Sequence, residues 1–377
     1  MSTLKVDAIR HNSATSDAIT TASDGTCTAK LTSVGGAALS HRNKVINGGM
    51  TISQRGTTFT ATDSEYIIDR FQHANGSGFT FDTTTTQDSS IPDGFQKSLK
   101  ITPDSTQTPT GSHNGTIRQM IEGQDLQDLA FGTSSAKSVT VSFYAKSSSQ
   151  NNNHQYGVQL RCRSGSRSQY VSQAFNVTSS WQRYTMTFVG NTGVAIRNDT
   201  EVGFEICFHL ASGPDDIVSA KSTWSTSGAF QTVTGQSNFM DNTSNEFYLT
   251  GVQLEVGDTA TSFEHRSYGE ELARCQRYFY GPTGEGLFGV GRTTNASTMW
   301  SVQFPTQMRG NPSLSITSTT ITIAEPNQSN FNITSASIAN AHISKNTAAF
   351  YLNGTMSVSV GDNLFLTDDY LMFSAEL

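Results

Sequence analysis

The sequence predicts an all-β protein, on three observations. Ser and Thr supply about a quarter of the 377 residues, while only 15% of side chains are charged, a bias toward strand and turn over helix. Period-two alternation of apolar and polar residues recurs along most of the chain. Helical periodicity with proper end signals is found at one place only.

Taken in order, residues 1–43 carry short alternations such as Leu4 to Ala8 and a turn signal at Asp24-Gly25, but too few large apolar residues to close a core. This stretch is expected to order only against something else: sister chains of an oligomer or a neighbouring protein. Residues 44–266 read as a β-sandwich or jelly roll. Val139, Val141, Phe143 and Ala145 alternate with polar residues; so do Tyr156, Val158, Leu160 and Cys162, and Phe204, Ile206, Phe208 and Leu210. Such strands pack one face on a core and turn the other to solvent. Residues 267–281 form the one helix, a connector. Ser267 and Glu270 make a capping box, Tyr268, Leu272, Cys275 and Phe279 fall on one stripe, and Gly281-Pro282 stops it. Residues 282–377 return to alternation and suffice for a small sandwich, with hairpin turns expected at Asn353-Gly354 and Gly361-Asp362.

Several function classes are disfavoured. Lys+Arg 24 against Asp+Glu 31 leaves a net charge of -7 and no basic stripe for nucleic acid. No run approaches the roughly 20 apolar residues of a membrane span, and the first residues lack the apolar core of a secretory signal. Cys27, Cys162, Cys207 and Cys275 form no C-x-x-C pair and read as buried free thiols. Gly284, Gly286 and Gly289 match a dinucleotide fingerprint, but they follow a helix and precede a strand, the reverse of what that loop needs. The pairs Asp215-Asp216, Glu270-Glu271 and Asp368-Asp369 read as turns and caps, because glycoside hydrolysis needs carboxylates that face each other across roughly 5–9.5 Å. No histidine pair stands at i and i+4, and no catalytic residue, metal or cofactor is assigned.

The feature with binding chemistry is the polar face of the central strands. If they pair as neighbours in sequence, Tyr144, Lys146, Gln159, Arg161, Arg163, Glu205 and His209 share one surface. Sugars are held by this mixture, an aromatic ring against the C–H face and planar or charged groups on the hydroxyls. Trp181 and Trp224 lie beside Ser/Thr clusters and are further candidates, although Trp181 equally suits a sandwich edge.

Several runs are familiar. Residues 43–55 (NKVINGGMTISQR) with 68–71 (IDRF), and 247–257 (FYLTGVQLEVG) with 263–279 (FEHRSYGEELARCQRYF), resemble blocks found in bacteriophage tail fibres and related virion appendage proteins. Residues 138–147 and 180–184 are similar to strands of carbohydrate-binding-module jelly rolls, and 304–312 (FPTQMRGNP) and 373–377 (FSAEL) to fibre C-terminal domains. The resemblance covers residues 43–377. It implies a non-enzymatic virion tail fibre, a trimer docked to other tail proteins through residues 1–43 and binding host-surface polysaccharide, assembled in the host cytoplasm. Modules of this type often hold calcium near an acidic pair before the final strand's Val; Gly251 precedes Val252 here, so no metal ligand is implied. The alternatives are a purely structural virion part (head decoration, baseplate or adaptor), and a depolymerase.

Overall fold

The computed structural model describes residues 6–9, 19–21, 23, 27–29, 41–62, 64–164, 167–226, 232–282, 287–324, 330–366 and 371–377. Its architecture is nearly all β. The turn expected at Asp24-Gly25, Gly284 and Gly286 of the dinucleotide-like run, and Asp368-Asp369 lie outside the described residues. Three short strands, Ala8–Ile9, Ile19–Thr21 and Cys27–Ala29, make a small antiparallel meander.

Two six-stranded antiparallel sheets follow. Sheet A runs in the order Gln182–Phe188, Val139–Ser147, Phe247–Val256, Ser98–Pro103, Thr83–Asp88, Thr58–Ala61. Sheet B runs Arg167–Asn176, Gln155–Ser164, Val202–Ser212, Asn114–Glu122, Gln72–Gly76, Glu65–Tyr66. The alternating apolar residues of both sheets meet in one core: Val139, Val141, Phe143 and Ala145 of sheet A, with Tyr156, Val158, Leu160, Phe204, Ile206 and Phe208 of sheet B, are all fully buried. Phe143 packs edge-on against Phe208 at 5.0 Å and Phe175 at 5.1 Å, which adds to the about 1.5–3 kcal/mol that burying such a ring contributes.

The helix spans Tyr268–Gln276, with the Ser267 hydroxyl accepting from the Glu270 N–H at 3.3 Å. Its expected stripe is kept in part: Cys275 is buried, and so is Phe279, which lies in the strand after the helix. Tyr268 is 64% exposed, and Glu271 is buried instead, taking the Asn47 N–H at 2.5 Å and the Arg266 guanidinium at 3.3 Å. Polar partners fixed in place thus outweigh apolar periodicity. The other half of the expected box, a Glu270 return bond to the cap, gives way to a pair with Arg274 at 3.0 Å.

Beyond the helix, Phe288–Thr293, Ser297–Gln303, Thr347–Thr355, Phe331–Ile343, Thr320–Ala324 and Asn363–Leu366 close into a barrel rather than an open sandwich. Phe279–Tyr280, Leu371–Ser374 and Ser313–Ile316 form a three-stranded sheet. Gly361, at φ 93°, sits in the turn expected there. Asn353-Gly354 does not turn; both lie inside the Thr347–Thr355 strand, where a Gly354 Cβ would stand 2.6 Å from Ile333 and 2.7 Å from the Thr334 carbonyl. The glycine serves close approach at a bulge.

The motif residues converge on the joint between the two cores. The Arg55 guanidinium binds Asp69 at 3.0 Å and Glu376 at 2.9 Å and stacks on the Phe279 ring at 3.6 Å. Arg70 also pairs with Glu376, donates to the Met120 carbonyl at 2.6 Å and stacks on Tyr278 at 3.5 Å. Glu122 accepts from Arg277 at 2.8 Å and from the Tyr278 hydroxyl at 2.6 Å. Arg309 donates to the carbonyls of Ala375 at 2.7 Å and Glu376 at 2.8 Å. These residues are structural cement.

Candidate functional site

The fold separates the seven polar residues predicted to share a surface. Val139–Ser147 and Gln155–Ser164 are consecutive in sequence but belong to opposite sheets, so Tyr144 and Lys146 face outward from sheet A while Gln159, Arg161, Arg163, Glu205 and His209 face outward from sheet B, on the other side of the molecule. Alternation tells which side of a strand faces the core; it does not tell which strands are partners.

The sheet B group is not an accessible surface either. Gln159, Arg161, Glu205 and His209 are buried. The described part of residues 213–237 lies against this face: Thr232 Oγ1 stands where a Cβ on Gly157 would be only 2.3 Å away, Gln236 donates to the His209 carbonyl at 2.8 Å, and Ser225 bridges Tyr170 at the sheet edge. Trp224 fastens the same segment, donating its indole N–H to the Val189 carbonyl at 2.7 Å and packing edge-on against Phe131, so it is no exposed platform. Beneath this cover Glu205 sits at 2.8 Å from Arg161, 2.9 Å from Arg163 and 3.8 Å from Arg118. Both His209 ring nitrogens lack a hydrogen-bond partner, and burial, helped by Arg161, drives its pKa down to about 3. A buried carboxylate whose charge is already met by three arginines, of which only Arg163 reaches solvent appreciably, stabilises a face.

Sheet A keeps one end of its outer face partly open; toward its other end Thr140, Gln253 and Glu255 are buried against Gly257, Thr261, Ser262 and Glu264. Cross-strand register lines up Lys146, Tyr248, Lys100 and Thr86 on neighbouring strands, with Trp181 just beyond the edge strand. Lys146 Nζ lies 4.4 Å from the Tyr248 ring centre and 5.7 Å from that of Trp181; the two rings meet edge-on at 6.1 Å. Lys100 binds Glu246 at 2.6 Å, and Glu246 also accepts the Tyr248 hydroxyl at 2.9 Å. Partial burial alone would raise the Glu246 pKa, but the bonds from Lys100 and Tyr248 outweigh it and hold the carboxyl below its ordinary value. Lys100 is correspondingly raised, its bond to Glu246 overcoming desolvation. Among the described residues Lys146 makes no ion pair within 4 Å, although its charge also helps to lower Glu246, and the residue is half-buried. The row therefore offers a cation, an indole edge and an anchored carboxylate to a flat partner.

Tyr144 extends this face along its strand. A bulge between Ser142 and Tyr144, opposite Gly251 at φ 64°, brings the Tyr144 and Phe95 rings together at 5.1 Å. A Cβ on Gly251 would be 2.7 Å from Phe95 and 2.9 Å from Tyr144, so the glycine is what admits the pair. Of these residues the sequence reading missed Tyr248, Lys100, Glu246 and Phe95. The signal for the first two was available, since Phe247 and Leu249 flank Tyr248, and Leu99 and Ile101 flank Lys100, at core positions.

Among the described residues no group of three His, Cys, Asp or Glu side chains is arranged to hold a metal ion. Cys162, Cys207 and Cys275 are buried free thiols, with burial raising the first two to about 12. Asp215 and Glu270 are exposed, in keeping with turn and cap roles.

No protein-family model matches the chain, and no curated protein does. Solved structures with similar β architecture include the enzymatically active domain of bacteriophage CBA120 tailspike protein 4, at 13% identity and TM-score 0.32, covering 57% of this chain and 21% of that one. They also include the CBM22-1 xylan-binding domain of Paenibacillus barcinonensis Xyn10C, at 12% identity and TM-score 0.28, covering 54% and 95%. A third is the family 11 carbohydrate-binding module of Clostridium thermocellum, at 14% identity and TM-score 0.29, covering 55% and 98%. The chain thus spans about a fifth of the tailspike's length.

Proposed function

We propose that this chain is a glycan-binding adhesin of a phage particle, a tail fibre or related appendage, and that it holds host-surface polysaccharide with the outer face of sheet A. The observation that carries the reading is the partly open end of sheet A, where Trp181, Lys146 and Tyr144 stand half-buried at the surface, whereas Gln159, Arg161, Glu205 and His209 of sheet B are buried. The sequence blocks similar to appendage proteins support the virion setting. Each contact is weak, and several copies on one particle add through effective concentration. Binding needs no bond cleavage, so incubation with host polysaccharide is expected to release no new reducing ends.

The test is adsorption of purified full-length protein to host cells, or to an immobilised glycan array, with Lys146→Ala and Trp181→Ala. Loss of 10-fold or more in both, at unchanged melting temperature, is the expected outcome, since each removes a contact worth about 1–3 kcal/mol. Undiminished adsorption in both would remove sheet A from the proposal. A protein found under other subunits on the particle would instead favour the structural-component alternative.

A further inference from the structure

Next to the Tyr144–Phe95 pair, where the helix leaves the jelly roll, the surface folds into a small open cleft of about 110 Å3, shallow enough that a ligand in it would stay half in solvent. Three of its lining side chains are one aromatic cluster: Phe95 meets Phe263 at 5.1 Å and His265 at 5.3 Å, and Phe263 meets His265 edge-on at 4.9 Å. The 64%-exposed ring of Tyr268 also lines it. At Gly94 a Cβ would meet nothing within 4 Å, so the backbone leaves the opening clear.

Its polar equipment is that of a neutral site. The Arg266 side chain is only 4% exposed, and its terminal nitrogens serve Glu271 at 3.3 Å, Glu264 at 3.4 Å and the Val45 and Asn43 carbonyls. Two carboxylates thus balance its charge. Its Nε is buried and has no hydrogen-bond partner among the described residues, so the guanidinium faces the protein and not the cleft. The exposed amide of Gln96 stands at the same cleft.

We propose that this cleft is a subsite for one uncharged hexopyranose residue of the bound polysaccharide. The rings take the sugar's C–H face, and the exposed Gln96 amide binds its hydroxyls. The charge balance is what selects a neutral sugar over a uronic acid. This rests on the glycan-binding reading, and it fixes one end of the chain's path: the polysaccharide passes from the cleft over Tyr144 toward Lys146 and Trp181.

Saturation-transfer NMR on the full-length protein with D-glucose, D-galactose, D-mannose and D-glucuronate tests it. At least one neutral hexose is expected to give signals from its ring protons that fall five-fold or more in both Tyr268→Ala and Gln96→Ala, exposed positions whose replacement leaves the fold intact, while Lys146→Ala leaves them unchanged. Neutral-hexose signals undiminished in those two variants, or glucuronate preferred over the neutral sugars, would overturn the subsite. If array binding by the wild type is also lost in Lys146→Ala but not in the cleft variants, the adhesin reading survives that failure. A wild type that binds no sugar in either assay sinks both.

Discussion

Glu205 shows what a single side chain decides. Three arginines surround it, with the carboxylate fully buried. In sequence it alternates with core residues as Lys146 does, and nothing local separates a solvated position from one roofed by a distant loop. Glu205→Gln is expected to cost about 3–5 kcal/mol, because it strands buried guanidinium charge. Urea titration checks this, and Lys146→Ala is the control. His209 answers to pH. The unfolded chain protonates it below about pH 6.5, whereas the folded chain refuses the proton until about pH 3. The stability this group supports is therefore complete above the upper limit and is lost as pH falls through the window, at up to about 1.4 kcal/mol per unit. Buried Asp69, whose pKa is raised chiefly by desolvation, acts with the opposite sign, so the effect must be read as a difference. His209→Gln is expected to flatten the fall in urea midpoint between pH 6.5 and 4 relative to wild type.

At the level of elements, the strands were legible and their partners were not. Val139–Ser147 and Gln155–Ser164 each show clean alternation, and each buries the residues the pattern names. Yet the first pairs with Gln182–Phe188 and Phe247–Val256, the latter about a hundred residues away, because the chain crosses between sheets after Ser147. That crossing leaves two of the seven residues of the expected face on sheet A and five on sheet B. The helix was legible through its cap, and its buried side only in part, since Glu271 goes inward for partners 224 and five residues distant. The joint is the sharpest case: Arg55, Arg70 and Glu376 are quoted in motifs that point to a virion protein, and what the three do is hold two domains together. Glu376→Gln is expected to destabilise by about 3 kcal/mol or more, because it leaves buried Arg70 without a carboxylate while Arg55 keeps Asp69, and to hasten tryptic cleavage around the joint. A single cooperative melt as sharp as wild type would contradict this.

For the molecule as a whole, asymmetry between the sheets sets what can be met from outside. Sheet A is partly open at one end, the sheet B candidates are mostly buried, and the first described residues include Val6 and Ile9, 41% and 54% exposed, the latter in the meander. Too little apolar surface is present there for an independent core, which motivates the proposal that residues 1–43 assemble copies of the chain. Deleting them is expected to yield single chains by light scattering and to lower apparent affinity for cells by about 10²–10⁴-fold, with the melting temperature of the remainder kept. An undiminished oligomer would place the assembly contacts elsewhere.

The return of the Leu371–Ser374 strand to the jelly roll bears on how the chain would carry load if it is the adhesin proposed above. Because Phe279–Tyr280 and Leu371–Ser374 run antiparallel side by side, with the Ala375 N–H bonded to the Tyr278 carbonyl at 2.7 Å, both passages of the chain between barrel and jelly roll lie in one hydrogen-bonded seam. A pull on the barrel would load the rungs of that seam and the Arg55–Glu376 clasp together, so the tether resists hydrodynamic drag as a doubled strap and not as a single thread.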